Sequence, residues 1–231
     1  MDPVLGLIWF VVWIAALTCH EAGHAFAAWK LGDPTAYLGG QVTLDPIPHI
    51  RREPFGTIIL PIISYAVFGW MIGWAGAPYD PFWAQQYRRK AAWMALAGPI
   101  ANLILVVAAG LTIRGGMALG IFDAPERVNF EQVTEALSGG WTNGLATLLS
   151  IWFSLNLILF VFNLMPLPPL DGSQVLVLFL DESSAERYSR IIHQPTFRII
   201  GLIVAWNVVS LVLSPVWLRA VNLLYPGAGY H

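Results

Sequence analysis

The sequence predicts an all-α polytopic membrane protein of about four to six transmembrane segments, with a broken helix at its functional site and a short membrane-associated strand or hairpin after the first helix. Three observations predict it. Of 231 residues, 57% are hydrophobic and only 11% charged, against roughly 25% charged in ordinary soluble domains. Mean hydropathy over the whole chain is +0.63. Four apolar runs, at residues 4–29, 92–113, 144–163 and 198–214, each come near the roughly 20 residues that a crossing helix needs. Sixteen prolines and 21 glycines are spread through this apolar sequence. They imply irregular backbone at membrane depth, which is tolerated only where protein or a wet cavity satisfies the freed polar groups.

The composition also excludes. A net charge of −2, with no basic stripe, leaves no electrostatic footprint for nucleic acid. The one cysteine, Cys19, rules out an intrachain disulfide and a Cys-rich metal site; it reads as a small helix-packing residue. There is no internal repeat, low-complexity tract or separate soluble domain, so residues 1–231 read as a single unit embedded in the lipid bilayer, and no motif sets an oligomeric state.

The elements follow in order. Met-Asp-Pro lacks the basic start of a cleaved signal peptide, and the run behind it is longer than a signal core, so 4–29 reads as a retained first helix. Residues 37–47 alternate weakly around Val42-Thr43-Leu44, with Gly39, Gly40, Pro46 and Pro48 nearby, and read as a short strand or hairpin. Segment 57–75 carries Pro61, Gly69 and Gly73 and is open to three readings: a full crossing, a kinked helix or a re-entrant hairpin. The stretch 114–143 is a polar connection, partly helical. Val175–Leu180 is too short to cross.

Lysine and arginine placement arbitrates the topology. With the N-terminus outside and 57–75 re-entrant, Lys30, Arg51, Arg52, Arg88, Arg89, Lys90, Arg187, Arg190 and Arg198 all fall on the cytoplasmic side. Only Arg114, Arg127 and Arg219 fall outside. A full crossing would reverse everything after it. Parity therefore favours re-entry, a multi-pass protein of the cell membrane, and a functional site nearer the cytoplasmic side.

That site is announced by His20-Glu21-Ala22-Gly23-His24, an H-E-x-x-H motif inside the first apolar run. Ionisable groups there are costly unless compensated, and a bound metal compensates them. Positions i and i+4 share a helix face, so His20 and His24 can turn ring nitrogens toward one ion, while Glu21, about 100° round the helix, can act as general base on a water. Ala22, Gly23, Ala25, Ala27 and Ala28 permit close approach of another helix. A catalytic zinc needs a third protein ligand. His49, His193 and His231 are the remaining histidines, and Asp171 is the better candidate. It follows Asn163-Leu-Met-Pro-Leu-Pro-Pro-Leu, where Pro166, Pro168 and Pro169 forbid regular helix, and Gly172 lets the backbone turn. Asn102 and Asn156 read as packing and interhelical hydrogen-bond residues; His49 either lines the cavity or faces headgroups. The tryptophans read as interfacial belts.

Three motifs together resemble the site-2 protease family of intramembrane metalloproteases: H-E-A-G-H at 20–24, Ala97-Gly98-Pro99-Ile100-Ala101-Asn102, and F-N-L-M-P-L-P-P-L-D-G at 162–172. Gln41–Thr57 is similar to the segment after the zinc motif in compact bacterial members lacking PDZ and CBS domains, which more typically carry Arg, Asn and Asp at the positions of Gln41, Asp45 and Arg51. The resemblance implies one Zn2+ per chain held by His20, His24 and Asp171, Glu21 as general base and acid, and Asn163 steadying the substrate carbonyl or oxyanion. It implies hydrolysis of peptide bonds in or near transmembrane segments of membrane-protein substrates. The competing class is an inactive membrane scaffold or binding protein with a structural metal site. Glu21 discriminates, because a structural site has no use for a carboxylate beside a water. A metal transporter would need polar groups along successive spans and ranks last.

Overall fold

The computed structural model describes residues 2–231. Among the described residues, four helices are long and apolar enough to cross a bilayer: α1 (Pro3–Leu31), α6 (Arg88–Ala118), α7 (Trp141–Asn163) and α10 (Pro195–Leu224). The chain is therefore an all-α polytopic membrane protein. Local chemistry marks the ends of α1, where Asp2 accepts from the Val4 N–H, Pro3 occupies the first turn and Gly32 closes the helix at φ 108°. Its 29 residues rise about 44 Å, so it extends beyond the hydrocarbon layer.

α6 is the central post, packing most extensively against α1 and α7. Its first turn holds Arg88, Arg89 and Lys90, four residues before the expected span, because a helix need not end where lipid does. Lys90 Nζ donates to the Leu31 carbonyl, 3.1 Å away, and caps the end of α1. At Gly23 a Cβ would lie 2.8 Å from the Ala97 carbonyl oxygen; this glycine lets the two backbones approach. One apolar core joins Val106 and Ile113 of α6, Phe153 of α7, and Trp217 and Val221 of α10. A second joins Trp9, Trp13 and Leu17 of α1 to Met71 and to Ile151 and Leu155 of α7. α10 is the least buried of the four long helices.

Residues 33–53 differ from expectation. The strand expected around Val42–Leu44 is absent; this stretch contains two short helices, α2 (Thr35–Leu38) and α3 (Pro46–Arg52), linked by bends. Local side-chain hydrogen bonds to the backbone explain it. Asp33 accepts from the Thr35 N–H at 2.9 Å, and Asp45 accepts from the Ile47 N–H at 2.9 Å with Pro46 in the first turn. Asp-Pro is a helix start, and three alternating residues without a partner strand do not outweigh it. The single sheet among the described residues lies in the polar connection instead, where β1 (Phe122–Asp123) pairs antiparallel with β2 (Glu135–Ala136).

Segment 57–75 doubles back. A π-helix at Phe55–Ile59 runs into α4 (Leu60–Phe68), which stops at Gly69 with φ 80°. The return strand of chain is tied to the outgoing helix by the Ile72 N–H donating to Ser64 Oγ at 2.8 Å and the Trp74 N–H donating to the Gly56 carbonyl at 3.2 Å. A Cβ at Gly73 would overlap the Gly56 carbonyl oxygen. The 5 and 9 residues of these helices rise roughly 21 Å, short of the roughly 30 Å hydrocarbon core. Asp33 fastens the far end as well, accepting from the Asp80 N–H at 2.8 Å just before α5 (Pro81–Gln86). After α7 the chain unwinds into α8 (Asp171–Val175), a 3-10 turn (Leu176–Phe179) and the amphipathic α9 (Glu182–Ile192).

Candidate metal centre

Three elements meet at one point. From α1, His20 and His24 are 5% and 8% exposed, with their rings edge to face at 4.6 Å and their Nε2 atoms 3.0 Å apart. From the start of α8, Asp171 Oδ2 lies 3.2 Å from His20 Nε2 and 3.3 Å from His24 Nε2. The prolines between α7 and α8 make this possible by ending the helix before the carboxylate arrives. Gly172 completes the turn: a Cβ there would overlap the Leu164 carbonyl.

α6 supplies the wall behind the histidines. His24 Nδ1–H donates to the Met94 carbonyl at 2.8 Å, and His20 Nδ1–H donates to Asn102 Oδ1 at 2.6 Å. Both Nε2 lone pairs are thereby freed toward Asp171, the arrangement expected of metal-ligating histidines. Between those contacts sits Gly98, whose missing Cβ leaves the space that the two imidazoles occupy.

The donor set fits zinc. Metal–nitrogen and metal–oxygen bonds of about 2.0–2.1 Å at tetrahedral angles separate donor atoms by roughly 3.3 Å, and the three separations here are 3.0, 3.2 and 3.3 Å. Asp171 Oδ2 makes no hydrogen bond in proper geometry despite its closeness to both rings, and buried Glu21 Oε2 has no partner. Such groups in a low-dielectric interior are costly left alone. A dication held by His20, His24 and Asp171 would relieve that cost. These three are also the group of His, Asp and Glu side chains that converges closely enough to hold a metal among the described residues.

The profile of peptidase family M50 matches residues 8–206, which include every residue of this cluster. The chain belongs to peptidase family M50. It is thus a member of the site-2 protease family, a zinc-dependent family, as its three motifs suggested. Over 163 residues it is 36% identical to "Putative zinc metalloprotease YwhC" of Bacillus subtilis (strain 168), covering 71% of this chain and 64% of that protein. Over 165 residues it is 33% identical to "Putative zinc metalloprotease Rip2" of Mycobacterium tuberculosis (strain H37Rv), covering 71% and 54%. The Rip2 of Mycolicibacterium smegmatis is 31% identical over 160 residues, covering 69% and 52%. The chain thus spans between half and two thirds of the length of these relatives. No solved structure matches it significantly.

Within this M50 framework the expected site residues divide. His20, His24 and Asp171 come together and Glu21 lies buried beside His20. Asn163 ends α7, and its amide donates to the Leu159 carbonyl at 3.0 Å rather than to any member of the cluster. His49 is buried in α3 with Nε2 3.1 Å from the Thr43 carbonyl oxygen, so it does not face headgroups, and it is not one of the three converging residues. Asn102 is the residue that sequence reasoning undervalued. Read as a packing and interhelical hydrogen-bond residue, it does bond across helices, and one of its partners is His20, a candidate metal ligand. A signal existed: Gly98 and Asn102 are one turn apart on a single face of α6, the face presented to α1.

Proposed function

We propose that this chain is a zinc-dependent intramembrane endopeptidase that hydrolyses peptide bonds in or near transmembrane segments of membrane-protein substrates, with residues 1–231 acting as one metalloprotease domain. The observation that carries the proposal is the convergence of His20 Nε2, His24 Nε2 and Asp171 Oδ2, 3.0–3.3 Å apart, next to the unpartnered carboxylate oxygen of Glu21.

His20, His24 and Asp171 would hold the zinc, which when bound supplies Lewis acidity toward water and a peptide carbonyl. Glu21 has the task that requires a free carboxylate. It takes a proton from the attacking water and returns it to the leaving amine, a contribution worth about 100–10,000-fold. Asn163 can turn its amide from Leu159 toward charge developing on the substrate oxygen, since it is half-buried and bound by one hydrogen bond. A substrate helix must unwind to present a carbonyl at a site walled by three helices, because its own backbone hydrogen bonds otherwise occupy that carbonyl.

The site belongs to the cytoplasmic side in this reading. Lys90 meets the end of α1, and Arg88 pairs with Glu182 of α9 at 2.7 Å, so the basic segments at 30, 88–90 and 187–190 gather at one end of the bundle, as the positive-inside rule requires. A scaffold with a structural metal explains the ligands but not Glu21. The deciding experiment is cleavage of a model transmembrane substrate by purified wild type and Glu21→Gln in matched, zinc-loaded samples. Wild type cleaves and the variant loses at least about 100-fold; equal rates would remove the proposal.

A further inference from the structure

The hydrogen bonds behind His20 do not stop at Asn102. Asn102 Nδ2 donates to Asn156 Oδ1 at 2.9 Å and reaches the Ala16 carbonyl at 3.3 Å, and Asn156 Nδ2 donates to the Trp152 carbonyl at 2.8 Å. Both asparagines have 0% exposure. The chain therefore runs from α7 through α6 to α1 without water.

Its direction follows from which end is a carbonyl. The Trp152 oxygen can only accept, so Asn156 must turn its NH2 toward it and its oxygen toward α6. That oxygen can only accept, so Asn102 must turn its NH2 toward Asn156, a choice that the Ala16 carbonyl reinforces. Asn102 Oδ1 is then the atom left facing His20, at 2.6 Å, and it too can only accept. The proton of the neutral imidazole is forced onto Nδ1 and the lone pair onto Nε2, the atom 3.2 Å from Asp171. Flipping either amide would set two acceptors or two donors against each other in a buried site, where an unmet polar group costs most.

We infer that Asn156 and Asn102 form a polarised relay that selects the metal-binding tautomer of His20, with Asn156 a positioning residue acting through Asn102. The relay makes the two histidines unequal. The tautomer of His24 is set by the backbone at Met94, which no side-chain substitution removes, while that of His20 depends on two side chains from two other helices. The inference rests on the reading of His20, His24 and Asp171 as a zinc site.

The test uses the full chain, stripped of metal and titrated with zinc against a chromophoric chelator, for wild type, Asn102→Leu, Asn156→Leu and the double variant. Loss of an outer partner of a ligating histidine costs about 10–100-fold in metal affinity. Asn102→Leu falls in that range and Asn156→Leu falls less, because Ala16 still holds the Asn102 amide. The double variant binds no more weakly than Asn102→Leu, since coupled residues are non-additive. Nitrogen NMR of the wild-type His20 ring gives a readout free of any folding defect in a variant: the neutral metal-free ring carries its proton on Nδ1. Unchanged affinities, additive losses or a proton on Nε2 would overturn the relay. A wild-type chain that binds no zinc yet shows the Nδ1 proton would overturn the metal reading and leave the relay standing.

Discussion

Gly98 and His24 are fitted to each other so closely that a single carbon atom would separate them. A Cβ on Gly98 would lie 2.7 Å from His20 Nε2 and closer still to His24 Nε2. The glycine is there because α6 passes over the Nε2 atoms of both histidines, and only a residue without a side chain can do so.

Gly98→Ala should therefore push the imidazoles out of convergence while sparing the four long helices. Overpacking of this kind costs about 1–3 kcal/mol, roughly 5-fold to 150-fold in zinc affinity. Chelator competition measures it, with circular dichroism confirming helix content. Wild-type affinity in the variant would show that the imidazoles are not held where α6 passes.

Gly201 of α10 plays the matching part for the other half of the site. A Cβ there would overlap the Pro168 carbonyl oxygen, three residues before Asp171, and Met165, Leu170 and Ala205 pack together beside it. Gly201→Leu should lower thermal stability by about 1–3 kcal/mol and weaken zinc binding together, although α10 supplies no ligand. Loss of stability with unchanged zinc affinity would mean that Asp171 is positioned independently of α10.

The doubled-back course of 55–74 predicts that both its flanks face one aqueous phase. In a Cys19→Ala background, Arg52→Cys and Gln86→Cys should react with an impermeant thiol reagent from the same side of sealed vesicles, and Ser138→Cys from the opposite side. Labelling of the first two from opposite sides would make the segment a full crossing.

Asn163→Leu separates a role in the reaction from a role in packing. If its amide meets charge on the substrate, kcat should fall about 100-fold, with zinc affinity and KM close to wild type. A fall in zinc affinity of the same size would assign Asn163 to holding the Asp171 loop instead.

The parts of this molecule that are legible in one dimension are those governed by local rules. Hydropathy finds the long helices because lipid demands about 20 apolar residues whatever surrounds them, and the i, i+4 spacing of His20 and His24 carries its geometry with it. Asp171 was visible because Pro166, Pro168 and Pro169 break the helix before it. Around Val42 the alternation of three residues pointed to a strand, but Asp33 and Asp45 hydrogen-bond the backbone where helices start on either side of it. The relay was hidden for a different reason. Asn102 and Asn156 lie 54 residues apart, and nothing along the sequence says that their amides meet or which way each is turned; that is decided by how α1, α6 and α7 pack.

The order in which the centre is assembled also sets a constraint on biosynthesis. α1 emerges before α6 and α8, carrying two imidazoles and a carboxylate into lipid with none of their partners yet made. Asn102 and Met94 arrive with α6 and relieve the outer nitrogens, but Asp171 follows His20 by 151 residues, and the clasp of Gly201 over its loop comes later still. Any nascent chain that stops before Asp171 has half a candidate binding site in the bilayer. Metal capture by these three side chains would therefore wait until Asp171 has joined His20 and His24, and a retained ion would report that the three elements have met.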